Sequence, residues 1–230
     1  MYVIFNITHT IKLGGVMFVE ATSIKNQKTK EIILFACSFV IVPIVSILVI
    51  CSGKESALYN SLSRIAWPEN LLWLVLLWGA IDFGCFFFAT KMTVDSAEYT
   101  KKWKNIFYAM TAVSCVLLIV GISIPAYNEP DSYIQMLRSV HTGFATVGMV
   151  GFLFVLITMT ITLYKRNIRQ FYLSLGLLCF LIISGVFALV KVSDPSSYCH
   201  VSAPAQIYIF SMYNIAMTIN YFTMTLLKRE

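Results

Sequence analysis

Six uninterrupted blocks of about twenty apolar residues constrain this chain more than any other feature. They run Ile32–Cys51, Leu71–Thr90, Ile106–Ala126, Thr142–Tyr164, Phe171–Val190 and Ile207–Leu227. Only the second holds an Asp, Glu, Lys, Arg or His, namely Asp82. Twenty helical residues at 1.5 Å each cover roughly 30 Å, the hydrocarbon thickness of a bilayer. Helices are required because the bilayer interior offers no water to a free backbone amide, and the blocks are too uniformly apolar to be barrel strands. Composition agrees: 58% of the 230 residues are hydrophobic and only 12% are charged, too few charges to coat a water-facing surface. The expectation is an all-α polytopic membrane protein. It excludes a soluble enzyme, a disulfide-stapled secreted domain and a disordered tail.

Basic residues give the orientation. Lys12, Lys25, Lys28 and Lys30 precede the first block, Lys91, Lys101, Lys102 and Lys104 follow the second, Lys165, Arg166 and Arg169 follow the fourth, and Lys228 and Arg229 close the chain. That side holds 13 of the 17 basic residues; Lys54, Arg64, Arg138 and Lys191 lie on the other. Cytoplasmic loops carry the positive excess, so both termini are expected inside, in agreement with an even number of spans. The division is then a cytoplasmic tail over 1–31, a six-helix bundle over 32–227 and a cytoplasmic end over 228–230. The net charge of +6 follows from orientation and attraction to headgroups, and gives no case for nucleic acid. Met1–His9 lacks the basic start and apolar length of a secretory signal. The sequon at Asn6 would sit in the cytoplasm, and Lys12–Met17 raises the alternative of translation starting at Met17.

Asp82 is the principal candidate residue. It lies near the bilayer centre, where a charge costs roughly 2.5–3.5 kcal/mol on insertion scales. It reads either as a protonatable site (proton relay, cation ligand, substrate acceptor) or as a carboxylic acid bonding a neighbouring helix. Ser211, Tyr213, Asn214, Thr218 and Asn220 in the last block are its expected partners, and no basic residue lies at its depth. The flanking Gly79-Ala80-Ile81-Asp82-Phe83-Gly84 permits close backbone approach or local unwinding.

A second group lies at the outer face. His141 and Arg138, with Glu129, Asp131, Arg64, Glu69, Lys191, Asp194, Cys199 and His200, form either a polar vestibule or ordinary interfacial residues. Leu58, Leu62, Ile65 and Ala66 recur at helical spacing up to Pro68, which predicts a short amphipathic helix on the membrane surface anchored by Trp67 and Trp73. Trp103 and Tyr99 anchor the inner side. Pro43 predicts a kink, and Gly143, Gly148 and Gly151 with Thr142 and Thr146 predict a helix-packing face.

The six cysteines form no CxxC pair or Cys/His cluster, so neither zinc nor an external disulfide framework is indicated, and they read as small apolar filler. HExxH, GxSxG, paired membrane carboxylates and a phosphate-binding glycine loop are all missing, and the last block has no mid-span lysine for a Schiff base. The reading is not an enzyme, with no cofactor and no metal.

Ser61-Leu62-Ser63-Arg64-Ile65 followed by Asn70, and Gly121-Ile122-Ser123-Ile124-Pro125 followed by His141-Thr142-Gly143-Phe144-Ala145, resemble a bacterial family of six-span membrane proteins catalogued as a domain of unknown function, number 998. The layout is also similar to DRAM-type membrane proteins. Gln206 departs from that pattern, in which an acid is expected, and this weakens an acidic outer site. The resemblance implies the six-span fold and no reaction; the expected location is a bacterial-type plasma membrane.

The functional expectation is non-enzymatic binding or sensing of a lipid or small amphiphile, or service as an accessory subunit among other membrane-protein subunits. The alternative is a small proton- or cation-coupled transporter using Asp82. An oligomeric pore contacting through the glycine-bearing fourth block is a third.

Overall fold

The computed structural model describes residues 26–53, 62–67, 70–97, 99–125, 132–164, 167–190 and 202–227. Several residues singled out above lie outside these: the sequon, the region around Met17, Leu58, Pro68, Glu69, Glu129, Asp131, and Lys191 to His200. Of Arg64 only the backbone is described.

The described chain is helical. The long helices are α1 (Asn26–Ser52), α3 (Leu72–Ser96), α4 (Lys101–Ser123), α5 (Ser132–Tyr164), α6 (Ile168–Val190) and α7 (Ala203–Leu227), with a short α2 (Leu62–Ala66) between α1 and α3. Five of them, α1 and α3 to α6, are long and apolar enough to cross a membrane. α7 has 25 residues yet is not among the five. The reason is visible in its surroundings. Its Asn214, Thr218 and Asn220 are buried, Asn214 and Asn220 bonding neighbouring helices, and Leu226 is its one large exposed apolar side chain among the described residues. A helix enclosed by other helices has no need of a uniformly apolar surface.

Each long helix packs on the next in sequence, and α7 returns to α1, so the six form a closed ring; α7 and α3 also pack on each other across it. Apolar side chains that face outward form the belt, for example Ile44, Ile47 and Leu48 on α1, Val113 and Val116 on α4, and Ile183 on α6. Thr90, Thr93, Thr111 and Thr160 are buried and bond their hydroxyls to the carbonyl four residues back, so they add no unsatisfied donor.

At one end of the bundle, Gln27 Nε2 donates to the Tyr221 hydroxyl at 3.0 Å and that hydroxyl donates to Glu31 Oε1 at 3.1 Å. The start of α1 therefore lies beside the end of α7. Asp95, which bonds Tyr108 at 2.6 Å and pairs with Lys104 at 3.5 Å, ties the end of α3 to the start of α4. Tyr99 meets Thr162 at 2.6 Å, joining the α3–α4 turn to the end of α5.

Four expectations are revised. α5 begins ten residues before Thr142, so His141 lies in its third turn and does not open it. α3 is continuous through Asp82, so the glycines beside the acid unwind nothing. Only Gly79 makes a close approach, 3.1 Å between its would-be Cβ and Ile122, while Gly84 faces open space. Leu62, Ile65 and Ala66 are buried, so α2 turns its apolar face onto α3 and α4 instead of into lipid. Finally, Gly148 and Gly151 face α4: a Cβ on Gly148 would stand 2.6 Å from Leu118 Cγ, and one on Gly151 would collide with Ser114 Oγ. These two glycines serve the α4–α5 contact inside the chain, whereas Gly143, Thr142 and Thr146 take no part in it.

A candidate functional site at the bundle centre

Pro43 has no amide hydrogen, and in an unbroken α-helix its ring would press on the carbonyl of Phe39. α1 responds one turn earlier. Cys37–Ile41 is a π-helical turn, closed by the Val42 amide on the Cys37 carbonyl. A wider turn absorbs such a clash and re-aims the side chains within it. Here it buries Ser38, which is fully enclosed.

Ser38 Oγ lies 2.8 Å from Thr218 Oγ1, 3.2 Å from Asn214 Oδ1 and 3.2 Å from Cys85 Sγ. Asn214 Nδ2 in turn donates to Asp82 Oδ1 at 3.1 Å. The network joins α1, α3 and α7 at mid-height, and the Asn214 amide is its link to the acid. One turn away the Trp78 indole donates to Ser46 Oγ at 3.0 Å, pinning α3 to α1 again. Rings pack beside the network: Phe86 and Phe152 stack at 4.0 Å, and Phe83 and Tyr213 meet Phe152 edge-on. Asp82 is 1% exposed. Its second oxygen, Oδ2, is buried with no hydrogen-bond partner, as is Ser211 Oγ.

Of the expected partners, then, Asn214 bonds Asp82 directly, and Thr218 joins through Ser38. Asn220 turns to α6 instead, accepting from Ser174 at 2.5 Å, and Tyr213 joins the rings. Cys85 and Cys115 are more than filler, since Cys85 meets Ser38 and Cys115 Sγ donates to the Phe83 carbonyl at 3.4 Å. Ser38 was not singled out from the sequence. Its signal was Pro43, whose missing donor disturbs the helix register four to five residues back.

The outer group is not gathered among the described residues. His141 is half-buried between α4 and α5, its Nδ1 2.7 Å from the Gly121 carbonyl. Arg138 is half-buried one turn earlier on α5, and its carbonyl accepts from Thr142 at 2.9 Å. Gln206 does something else: its side-chain oxygen accepts from the Leu62 amide at 3.0 Å and caps the start of α2. Among the described residues no group of three His, Cys, Asp or Glu side chains could hold a metal ion.

Chemically, the network supplies one hydrogen-bond donor to one carboxyl oxygen and leaves the other bare. Comparison with family models, curated proteins and solved structures returns no match for this chain.

Proposed function

We propose that this chain is a non-enzymatic integral membrane protein of the plasma membrane, with α7 as a sixth span and both termini cytoplasmic. It binds or senses a lipid or small amphiphile, or serves as an accessory subunit of a membrane complex. The observation that carries this reading is the direction of its polar groups. Ser38, Asp82, Asn214, Thr218 and Asn220 are spent on contacts between helices, while the outward faces are apolar. α7 supports the sixth span by touching other elements at Gln206, Asn214 and Tyr221, along its whole length. The resemblance of the Ser61–Ile65 and His141–Ala145 motifs to six-span proteins points the same way.

In this reading Asp82 is a clamp. Asp82→Leu, which leaves the Asn214 amide unpaired in an apolar interior, should cost about 1–3 kcal/mol. Asp82→Asn should cost less. Thermal unfolding in lipid nanodiscs checks both, and native mass spectrometry of the gently extracted protein should show a retained lipid or subunit. A wild-type protein that retains neither, together with an Asp82→Leu variant of unchanged stability, would sink the reading.

The bare Asp82 Oδ2 favours a second reading, a small proton- or cation-coupled transporter. There Asp82→Asn should leave thermal stability intact and abolish pH-dependent flux in proteoliposomes.

A further inference from the structure

We propose that Asp82 is a one-proton site whose two protonation states are both accommodated by a flip of the Asn214 side-chain amide. The inference rests on the second reading in one respect only, that Asp82 is the group exchanging with solvent, and it commits to a proton over a metal cation.

A carboxylate spreads its charge over both oxygens, and an enclosed one without a donor is costly in an apolar interior. Asp82 has a donor at Oδ1 and none at Oδ2. In the acid form the difficulty shrinks. A proton on Oδ1 is donated to the amide oxygen of Asn214, and Oδ2 becomes an ordinary carbonyl oxygen lacking one bond. A metal cation would need ligand space around Oδ2, which is closed over by protein; a proton needs none.

Asn214 can serve either form because its oxygen and nitrogen ends exchange places by a half-turn. With the carboxylate, Nδ2 faces Asp82 and the amide oxygen accepts from Ser38, whose own oxygen accepts from Thr218. With the acid, the amide oxygen faces Asp82 and Nδ2 donates to those hydroxyls. Ser38 and Thr218 make this reversible, since each hydroxyl both donates and accepts.

The titratable groups that interact with the acid are two thiols, Cys85 on its own helix and Cys115 on α4; Cys37 on α1 faces Cys85, and the Tyr213 phenol on α7 packs against Phe152. No described charged side chain bonds Asp82. The amide is therefore the polar group that answers its protonation, and Ser38 passes the answer to the π turn of α1.

Infrared difference spectroscopy of the full chain in nanodiscs, between acidic and alkaline buffers free of sodium, tests this. The expected result is a carboxylic C=O band that disappears as pH rises and is absent in Asp82→Asn. In Asn214→Leu it should move to higher wavenumber, because the acid loses its acceptor. Should Asp82→Asn fail to fold, the Asn214→Leu shift and its counterpart in Thr218→Val are read on the native acid. Superimposable wild-type and Asp82→Asn spectra overturn the proposal, as does a band unmoved in Asn214→Leu, or one removed by sodium at constant pH. Flux plays no part: a titrating band without transport rejects the transporter and leaves the proton site standing.

Discussion

Two residues show how much one side chain settles here. Asn70 has φ +56°, the left-handed region that few side chains tolerate, and its amide bonds the Trp67 carbonyl at 3.2 Å. It ends the α2 turn and starts α3. Asn70→Ala should therefore cost about 1 kcal/mol while Asn70→Gly is nearly neutral, measured by thermal unfolding. Ser38 is the other. It meets Asn214, Thr218 and Cys85, so Ser38→Ala strands buried polar atoms on two helices and should cost about 1–3 kcal/mol. Stability unchanged in Ser38→Ala would mean that the bundle centre does not depend on this network. The Asp82–Asn214 pairing was readable because a lone acid at mid-depth demands a polar partner, and the last block is rich in them. Ser38 was not, because serines are common in membrane helices and only the π turn aims this one inward.

Helices meet by different devices at different contacts. α4 and α5 approach through Gly148 and Gly151, with Ser114 and Leu118 opposite. Gly151→Ala should destabilise by about 1–3 kcal/mol, and Ser114→Ala in the same chain should recover most of it, since the colliding hydroxyl is gone. The glycines themselves were evident in sequence; the face they serve was not. Composition says that a small residue permits close approach but does not say which helix approaches. α2 is held by a cap on Leu62 supplied from α7. Gln206→Ala should raise amide exchange at Leu62, whereas Gln206→Glu should preserve the cap, because a carboxylate at a helix N-terminus also accepts that bond. Glutamine and an acid at this position would thus make the same contact.

At the scale of the molecule, the start of α1 lies beside the end of α7. With the basic residues taken as cytoplasmic, Lys28→Cys and Lys102→Cys should react with a membrane-impermeant thiol reagent only after permeabilisation, and Tyr133→Cys in intact cells. All three side chains are exposed, so reactivity reports sidedness. Labelling of Lys28→Cys but not Tyr133→Cys in intact cells would reverse the topology, and equal labelling of both from one side would refute the alternation of spans.

Sequence alone determined the helical class and the approximate limits of the long helices. Both follow from a local rule, that a backbone in hydrocarbon must satisfy its own hydrogen bonds over a length set by the bilayer. It also flagged Asp82, since burying an acid is costly wherever it occurs. Tertiary structure decided what the acid touches, which face each glycine serves, and why α7 departs from uniform apolarity. Those outcomes depend on which helices become neighbours, which no single segment encodes, and on the register that the π turn before Pro43 imposes on α1.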